Sequence, residues 1–122
     1  MRGGGSATYS QKDFASELDH ALGNHEVGTT LWFENDHVRV WEVRLEAGQR
    51  APFHTHSQTY FWTCIDPGKG FQRFPDGTAQ EFDFTLGETV FSEISASDPM
   101  IHDLENLDDH TVRFVAIELK DL

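Results

Sequence analysis

Two histidines separated by one residue, His54 and His56, stand at the head of an aromatic run, in the segment QRAPFHTHSQTYFW from 49 to 62. On a β-strand, residues i and i+2 point to the same face about 6.6 Å apart, so two imidazoles at this spacing can bind one metal ion. Seven histidines in 122 residues produce such a pair by chance about 0.4 times, so the spacing alone is weak evidence. The alternative is that both rings only donate hydrogen bonds to carbonyl groups.

Other polar and aromatic side chains could share a pocket with this pair. Gln58, Tyr60 and Trp62 have the strand parity of the histidines. Tyr60 and Trp62 are predicted either to line a pocket mouth or to fill the core, and Gln58 either to bind substrate or a metal-bound water or to be exposed. Glu93, on a later strand, is a candidate ligand or general base, or a solvated carboxylate.

The composition restricts the class of protein. At 122 residues the chain is long enough for one domain with one core. The net charge of -12 repels phosphate backbones and anionic lipid, so we expect neither a nucleic-acid nor a membrane partner. Cys64 is the single cysteine, and the chain opens without a secretory signal pattern. These features predict a globular protein of the reducing cytoplasm.

The first residues divide into a tail and a helix. Residues 1–6 (MRGGGS) resemble a linker or the remnant of an expression tag, and we leave them out of the predicted fold. From Ser10 to Gly23 the spacing of Phe14, Leu18 and Leu22 predicts one helix of about three turns, capped by Ser10 and ended by Gly23. We therefore predict a tail and short helix over 1–28 and a β domain over 29–122.

After Gly28 the sequence becomes a series of short β-type runs separated by turn residues. Asn35-Asp36 and the Pro75–Gly77 turn predict antiparallel hairpins, and a change of apolar parity within 37–45 predicts a bulge or a strand that turns a barrel corner. The fold class is all-β, a closed sandwich or barrel such as a jelly roll. The predicted strands are Thr30–Glu34, His37–Leu45, Gln58–Asp66, Phe71–Phe74, Ala79–Phe84, Thr89–Glu93 and Thr111–Lys120.

Some positions between and within these runs have predicted environments. Phe53, Phe91 and Phe114 are expected in the core. Residues 103–110 carry four acidic side chains around Asn106 and predict a hydrated polar loop, in which Asn106 ties the turn after His102 by a side-chain to backbone hydrogen bond.

Two sequence frames resemble the motifs of the cupin superfamily. Gly48, five residues, His-Thr-His and then Gly68 match the frame of the first motif, and Gly87 followed by His102, three residues and Asn106 ends like the second. Residues from about 30 to 120 are thus similar to a small cupin, close to those associated with β-alanine degradation. The resemblance implies a double-stranded β-helix, with His54, His56 and His102 as the metal ligands.

The sequence also departs from the cupin pattern. The glutamate of the first motif falls on Tyr60 or Phe61, and the interval from Gly87 to His102 is four residues longer than usual, with Glu93–Ser95 in place of Pro-x-Gly. A face of three neutral histidines leaves the full charge on a divalent ion, which favours an anionic, chelating substrate. Arg39, Arg44 and Arg113 are candidates for attracting it.

The resemblance therefore implies a divalent metal ion, with Fe first and Zn, Ni, Mn or Cu as alternatives. The first functional hypothesis is a mononuclear Fe(II) three-histidine dioxygenase-type oxidoreductase that acts on a small anionic metabolite. A metal-dependent isomerase or lyase and a non-catalytic ligand-binding or sensor module are the alternatives. No catalytic residue is assigned, and a homodimer is expected by analogy with small cupins.

Overall fold

The computed structural model describes residues 2–121, with ten β-strands and one short α-helix. The helix α1 (Ala15–His20) lies between two 3-10 helices, Gln11–Phe14 and Ala21–Gly23. The strands are β1 (Arg2–Thr8), β2 (Thr30–Glu34), β3 (Val38–Leu45), β4 (Arg50–His56), β5 (Tyr60–Asp66), β6 (Gly68–Arg73), β7 (Thr78–Phe84), β8 (Thr89–Ser92), β9 (Met100–Asn106) and β10 (Val112–Leu119).

The strands form two five-stranded antiparallel sheets. Sheet I has the order β1-β7-β6-β9-β4, and sheet II has the order β2-β3-β10-β5-β8. Successive strands alternate between the sheets at several points, so the chain winds round a core enclosed by both. The predicted all-β double-stranded β-helix with one short N-terminal helix is confirmed.

Local turn chemistry explains the hairpins that the sequence predicted. The Asn35 side chain accepts hydrogen bonds from the backbone N–H groups of His37 and Val38, both at 2.8 Å, and closes the β2–β3 turn. Gly77 has a φ of 89°, a conformation that favours glycine, in the β6–β7 turn. The bulge predicted within 37–45 is wrong, because β3 pairs regularly with β10; the register shift of this hairpin lies in β2, between Leu31 and Phe33.

The first residues belong to the fold, so their interpretation as a linker is wrong for the described part, which begins at Arg2. Backbone hydrogen bonding joins β1 to β7 in antiparallel register, with Ser6 opposite Gln80 and Thr8 opposite Thr78. A strand at a sheet edge needs only its backbone groups for pairing, so a glycine-rich segment can form one despite its weak strand propensity.

The predicted helix exists in a different form. Ser10 makes no side-chain cap hydrogen bond, and the 3-10 turns shift the helical phase, so that Ala21 is buried while Leu22 is 63% exposed. The segment lies on the outer face of sheet I, where the Thr55 hydroxyl donates to the carbonyl of Ala21 at 2.6 Å. The rings of Tyr9, Phe14 and Phe53 pack together there.

The apolar core lies between the sheets and includes Phe114, as predicted. Phe53 is also buried, but on the outer face of sheet I beneath the helical segment. Phe91 is 54% exposed, so its prediction as a core residue is wrong. None of the helices within residues 2–121 is long and apolar enough to cross a membrane.

Residues 103–106 of the predicted polar loop are instead the second half of β9, whereas residues 107–110 lie outside the strands, as predicted. Asp103 is fully buried on the face opposite His102, where it accepts hydrogen bonds from Arg50 Nε at 2.6 Å and Arg73 Nη1 at 2.9 Å. Asn106 is also buried, and its amide donates to the carbonyls of Leu45, Glu46 and His110, which confirms its predicted role as a tie. Partners from distant segments make this polar strand stable in the interior.

Candidate metal centre

Three buried histidines meet inside the barrel on two neighbouring strands. His54 and His56 lie on β4, and His102 lies on β9 directly opposite His54. The Nε2 atom of His56 is 3.1 Å from the Nε2 atoms of both His54 and His102. The ligand atoms that the three rings offer all lie within 4.8 Å of one another. The two segments that the sequence linked only through motif frames are thus brought to one point.

Hydrogen bonds at Nδ1 of two of the rings determine which ring nitrogen keeps a lone pair for a metal ion. His54 Nδ1 is 2.8 Å from the carbonyl of Pro52, and His102 Nδ1 is 3.2 Å from Gln72 Oε1. Both oxygens only accept, so each Nδ1 donates and each Nε2 keeps its lone pair for an ion. His56 has no hydrogen-bond partner at Nδ1 within the described residues, and its ring stacks on Tyr60 at 4.2 Å between centroids.

Burial keeps the three rings in the neutral form that metal binding requires. Burial lowers the pKa of His54, although the Pro52 carbonyl partly opposes this. Burial lowers the pKa of His56 and His102 well below the ordinary value, and the neighbouring histidines add to the effect. A neutral imidazole offers a lone pair on one ring nitrogen, so binding a divalent ion requires no net loss of a proton from these rings.

The arrangement fits a divalent ion by its dimensions. Two nitrogen ligands at about 2.1 Å from an ion and at about 90–110° to each other lie about 3.0–3.4 Å apart. The two Nε2 to Nε2 distances of 3.1 Å fall within that interval. Three imidazoles on one side of an ion leave its other coordination positions to water or substrate, as in catalytic sites.

The histidines form the polar end of a cavity of about 50 Å³, which is room for about four water molecules. Trp62, Phe84 and Phe114 contact one another edge to face at the apolar side, with centroid distances of 4.7–5.7 Å. The remaining lining residues are Val27, Val43, Ala51, Tyr60, Gln72, Leu104 and Ala116. Among the residues described, no Asp, Glu, Lys or Arg lines this cavity.

The predicted pocket residues occupy different places. Tyr60 and Trp62 line the cavity with the histidines, whereas Gln58 is not among its lining residues and its Oε1 is buried without a hydrogen-bond partner in the described chain. Glu93 is exposed and lines a separate surface hollow with Thr59, Phe91, Ile94 and Ser95.

The three arginines proposed to attract an anion lie outside the cavity. Arg39 pairs with the buried Glu118 at 2.8 Å, Arg113 pairs with Asp66 and Glu42, and Arg44 is exposed. Their charges are thus compensated or solvated rather than directed at the site. Tyr60, one of the two positions on which the motif glutamate falls, is also uncharged, because burial raises its pKa to about 12.

Two features were missed by sequence reasoning. Gln72 lines the cavity and holds His102, and its only sequence signal is its position on β6, two residues after the inward-facing Gly70. Beneath the site, on the outer face of sheet I, Asp103 binds both Arg50 and Arg73, which also pair with Glu17 and Glu105. This network joins the helical segment to the strands that carry the histidines.

Comparisons with known proteins agree with this architecture. No protein-family model and no curated protein matches the sequence. Among solved structures, a cupin domain from Bordetella pertussis Tohama I superposes with a TM-score of 0.67 at 26% identity, over 75% of this chain and 90% of that one.

Two more distant structures show the same fold. A double-stranded β-helix protein from Klebsiella pneumoniae gives a TM-score of 0.60 at 16% identity, over 84% of this chain and 86% of that one. A cupin superfamily protein from Desulfitobacterium hafniense gives 0.55 at 14% identity, over 75% of each chain.

Proposed function

Since the chain belongs to the cupin superfamily, we propose that it is a metal-dependent enzyme of that superfamily, in which His54, His56 and His102 hold one divalent ion. The observation that carries the proposal is the convergence of three neutral, buried imidazoles on one side of a cavity that has room for a small molecule. Iron is the metal we propose first, with Zn, Ni, Mn and Cu as alternatives, because imidazole ligands suit several of these ions.

The reaction we propose is a dioxygenase-type oxidation. A ferrous ion with open positions supplies Lewis acidity and electrons for dioxygen. Acid–base chemistry by protein groups has little support, because no carboxylate or lysine among the described residues lines the cavity and Tyr60 has a pKa of about 12. This lack of a general base argues against the isomerase and lyase alternatives.

The cavity indicates the kind of substrate. Among the described residues, the histidines, Gln72 and Tyr60 supply most of its polar groups, and the rings of Trp62, Phe84 and Phe114 form an aromatic cluster in its wall. We propose a small metabolite whose anionic oxygen or sulfur group binds at the metal and whose body is apolar. Charge compensation comes from the ion itself, since no cationic side chain of the described chain lines the cavity.

Oxygen uptake tests the reaction directly. Protein loaded anaerobically with Fe(II) is mixed with oxygen and a panel of small β-diketones, thiols and catechols, and oxygen consumption is monitored. The proposal expects consumption with at least one apolar member of the panel, and its loss in His102→Ala. The control is His37→Ala, whose exposed ring pairs with Asp121 away from the site. No uptake with any member in iron-replete protein contradicts the oxygenase assignment.

The second candidate is a non-catalytic ligand-binding or sensor protein, and the absence of acid–base groups from the described cavity lining favours it. Elemental analysis of protein purified without a metal-affinity step identifies the native metal for both candidates. The two candidates differ in the fate of the ligand, because an enzyme consumes the ligand whereas a sensor returns it unchanged after release.

We also propose a homodimer, formed through the outer face of sheet II. Cross-strand register places Phe33, Val40, Ile117, Phe61 and Phe91 in one row across all five strands. Phe33 and Phe91, at the two ends, are more than half exposed. A twofold axis through the central Ile117 would bring Phe33 of one copy over Phe91 of the other, which suits an isologous interface.

Charged groups at the border of this row are held in ion pairs. Arg113 pairs with the carboxylates of Asp66 and Glu42, which leaves that cluster net negative, and Lys120 pairs with Glu34. Sedimentation velocity is expected to give a dimer that Ile117→Lys converts to a monomer, whereas Leu86→Lys, at an exposed site outside the row, keeps the dimer. A monomeric wild type contradicts the proposal.

A cytoplasmic location stays a prediction. It is supported by Cys64, the single cysteine, whose thiol is buried and free.

A further inference from the structure

The amide group of the Gln72 side chain has an acceptor atom, Oε1, and a donor atom, Nε2, which can bind different partners. Gln72 lies on β6 and lines the histidine cavity, and its Oε1 atom is 3.2 Å from His102 Nδ1. A carbonyl oxygen only accepts, so His102 Nδ1–H is the donor in this hydrogen bond. His102 Nε2 is then unprotonated and directed at His56 Nε2, 3.1 Å away.

Two acceptors orient the histidine rings, and Gln72 is the one that a side-chain substitution can remove. The corresponding acceptor for His54 is the backbone carbonyl of Pro52, which no side-chain substitution removes. Without Gln72 the His102 ring would lose its partner at Nδ1 and could carry its proton on Nε2 instead, where it would block an ion. Outer hydrogen bonds of this type change metal affinity by about 10–100-fold.

The other end of the amide is free to bind a ligand. Within residues 2–121, Gln72 Nε2 has no acceptor, and the cavity beside it is otherwise lined by apolar groups, the three histidines and Tyr60. The Tyr60 hydroxyl is engaged with Ser92. An amide N–H2 that lacks a protein acceptor can exchange a hydrogen bond to water for one to a ligand oxygen atom that enters the cavity.

We propose that Gln72 is a positioning residue for His102 and, through its Nε2, the donor that selects ligands with an acceptor oxygen next to the metal-binding atom. The second part rests on the proposed metal site, whereas the first does not. Carbonyl, enolate, hydroxamate and carboxylate groups satisfy this donor, and an ammonium group does not.

The tautomer of His102 is the first readout and needs no metal. Long-range ¹H–¹⁵N correlation spectra of the histidine rings, recorded on metal-free protein above pH 8, are expected to show His102 protonated at Nδ1. In Gln72→Leu we expect a mixture of both tautomers, and in Gln80→Leu the wild-type form. Gln80 lies opposite Gln72 on β7 and is not among the residues that line the cavity, so it is a matched control. Wild-type His102 protonated at Nε2 overturns the proposal.

Metal and ligand titrations separate the two tasks. Gln72→Leu is expected to weaken Co(II) binding, measured by chelator competition, by about 10–100-fold. Gln72→Glu keeps an acceptor for His102 but has no N–H2, so it should bind Co(II) within about threefold of wild type and bind the probe acetohydroxamate at least about tenfold more weakly. Equal acetohydroxamate binding by Gln72→Glu and wild type refutes the donor role.

These readouts also distinguish failure of the proposed function from failure of this inference. If wild-type protein shows the expected His102 tautomer but binds no Co(II), the metal site is refuted while the positioning contact stands. If Co(II) binds and Gln72→Leu changes neither the tautomer nor the affinity, the positioning role is refuted while the metal site stands.

Discussion

Replacing Asp103 by Asn should destabilise the protein strongly although the side chain keeps its shape. Asp103 is fully buried and accepts three hydrogen bonds, from Arg50 Nε at 2.6 Å, Arg73 Nη1 at 2.9 Å and the backbone N–H of Arg73 at 2.7 Å. The asparagine oxygen can keep the backbone hydrogen bond. Its NH2 group would then face both guanidinium donors, so both charged hydrogen bonds are lost.

The structure sets the expected magnitude. A hydrogen bond to a charged group contributes about 1.5–3 kcal/mol, so losing two costs about 3–6 kcal/mol. In the variant, Arg50 still pairs with Glu17 and Arg73 still pairs with Glu105, and both guanidinium groups are partly exposed. The loss should therefore lie in the lower half of that energy range. We expect a loss of about 3 kcal/mol in the free energy of unfolding, within the usual range for breaking a buried ion pair.

Urea unfolding at pH 7 with a chelator present, monitored by tryptophan fluorescence, measures this loss without any contribution from metal. With an m-value of about 2 kcal/mol/M, the midpoint should fall by about 1.5 M. Asp109→Asn is the control, because that side chain is 96% exposed, and its effect should stay below about 0.5 kcal/mol. An Asp103→Asn effect below about 1 kcal/mol at unchanged m-value would refute the assignment of the network as a structural support.

Two further substitutions test other contacts. Burial alone would raise the pKa of Glu17, but hydrogen bonds from Arg50 and the Phe53 N–H, together with the charges of Arg50 and Arg73, give a net lowering. The ionised Glu17 side chain therefore stabilises the folded protein fully above pH 4.5, and this contribution is lost as the pH falls through the lowered pKa. Wild type should therefore exceed Glu17→Gln by about 1–2 kcal/mol at pH 7, with the difference shrinking toward pH 3 in urea titrations, and a pH-independent difference argues against this pair. Gly70→Ala should cost about 1–3 kcal/mol in the same assay, because its Cβ would overlap the Phe84 ring and approach Leu104 Cδ1 to 3.2 Å, whereas Gly23→Ala, which meets nothing within 4 Å, should be nearly neutral.

The strands with alternating apolar residues and clear turn signals could be predicted from the sequence. The bounds of β2 are as predicted, and the Asn35 and Gly77 turns close the hairpins expected of them. These features depend on residues that are neighbours in the chain. A local sequence pattern therefore reveals them without knowledge of the rest of the molecule.

Elements stabilised by distant partners could not be predicted in this way. The second half of β9 has the composition of a loop, but it forms a strand because Asp103 and Asn106 find their partners in residues 50, 73, 45 and 46. β1 is glycine-rich and pairs through its backbone. Phe91 has the composition of a core residue, but it lies on the outer face of sheet II, stacked on Phe61.

The residues of the candidate site also differ in whether a local sequence pattern or only the pairing of distant strands reveals them. The spacing of His54 and His56 suggested a shared face, and the second motif frame indicated His102, which a local pattern alone could not connect to them. Glu93 was proposed from its place along the chain, yet the structure puts it in another hollow. Gln72 carries no motif, and only the pairing of β6 with β9 and β7 shows where its side chain lies.

The most direct measurement is anomalous diffraction from crystals of the protein soaked with Co(II) at pH 7.5. A three-histidine metal centre predicts one strong anomalous peak about 2.0–2.2 Å from the Nε2 atoms of His54, His56 and His102, with further coordination positions held by water. A crystal in which cobalt binds elsewhere, or in which the His102 ring takes no part in coordination, would contradict it.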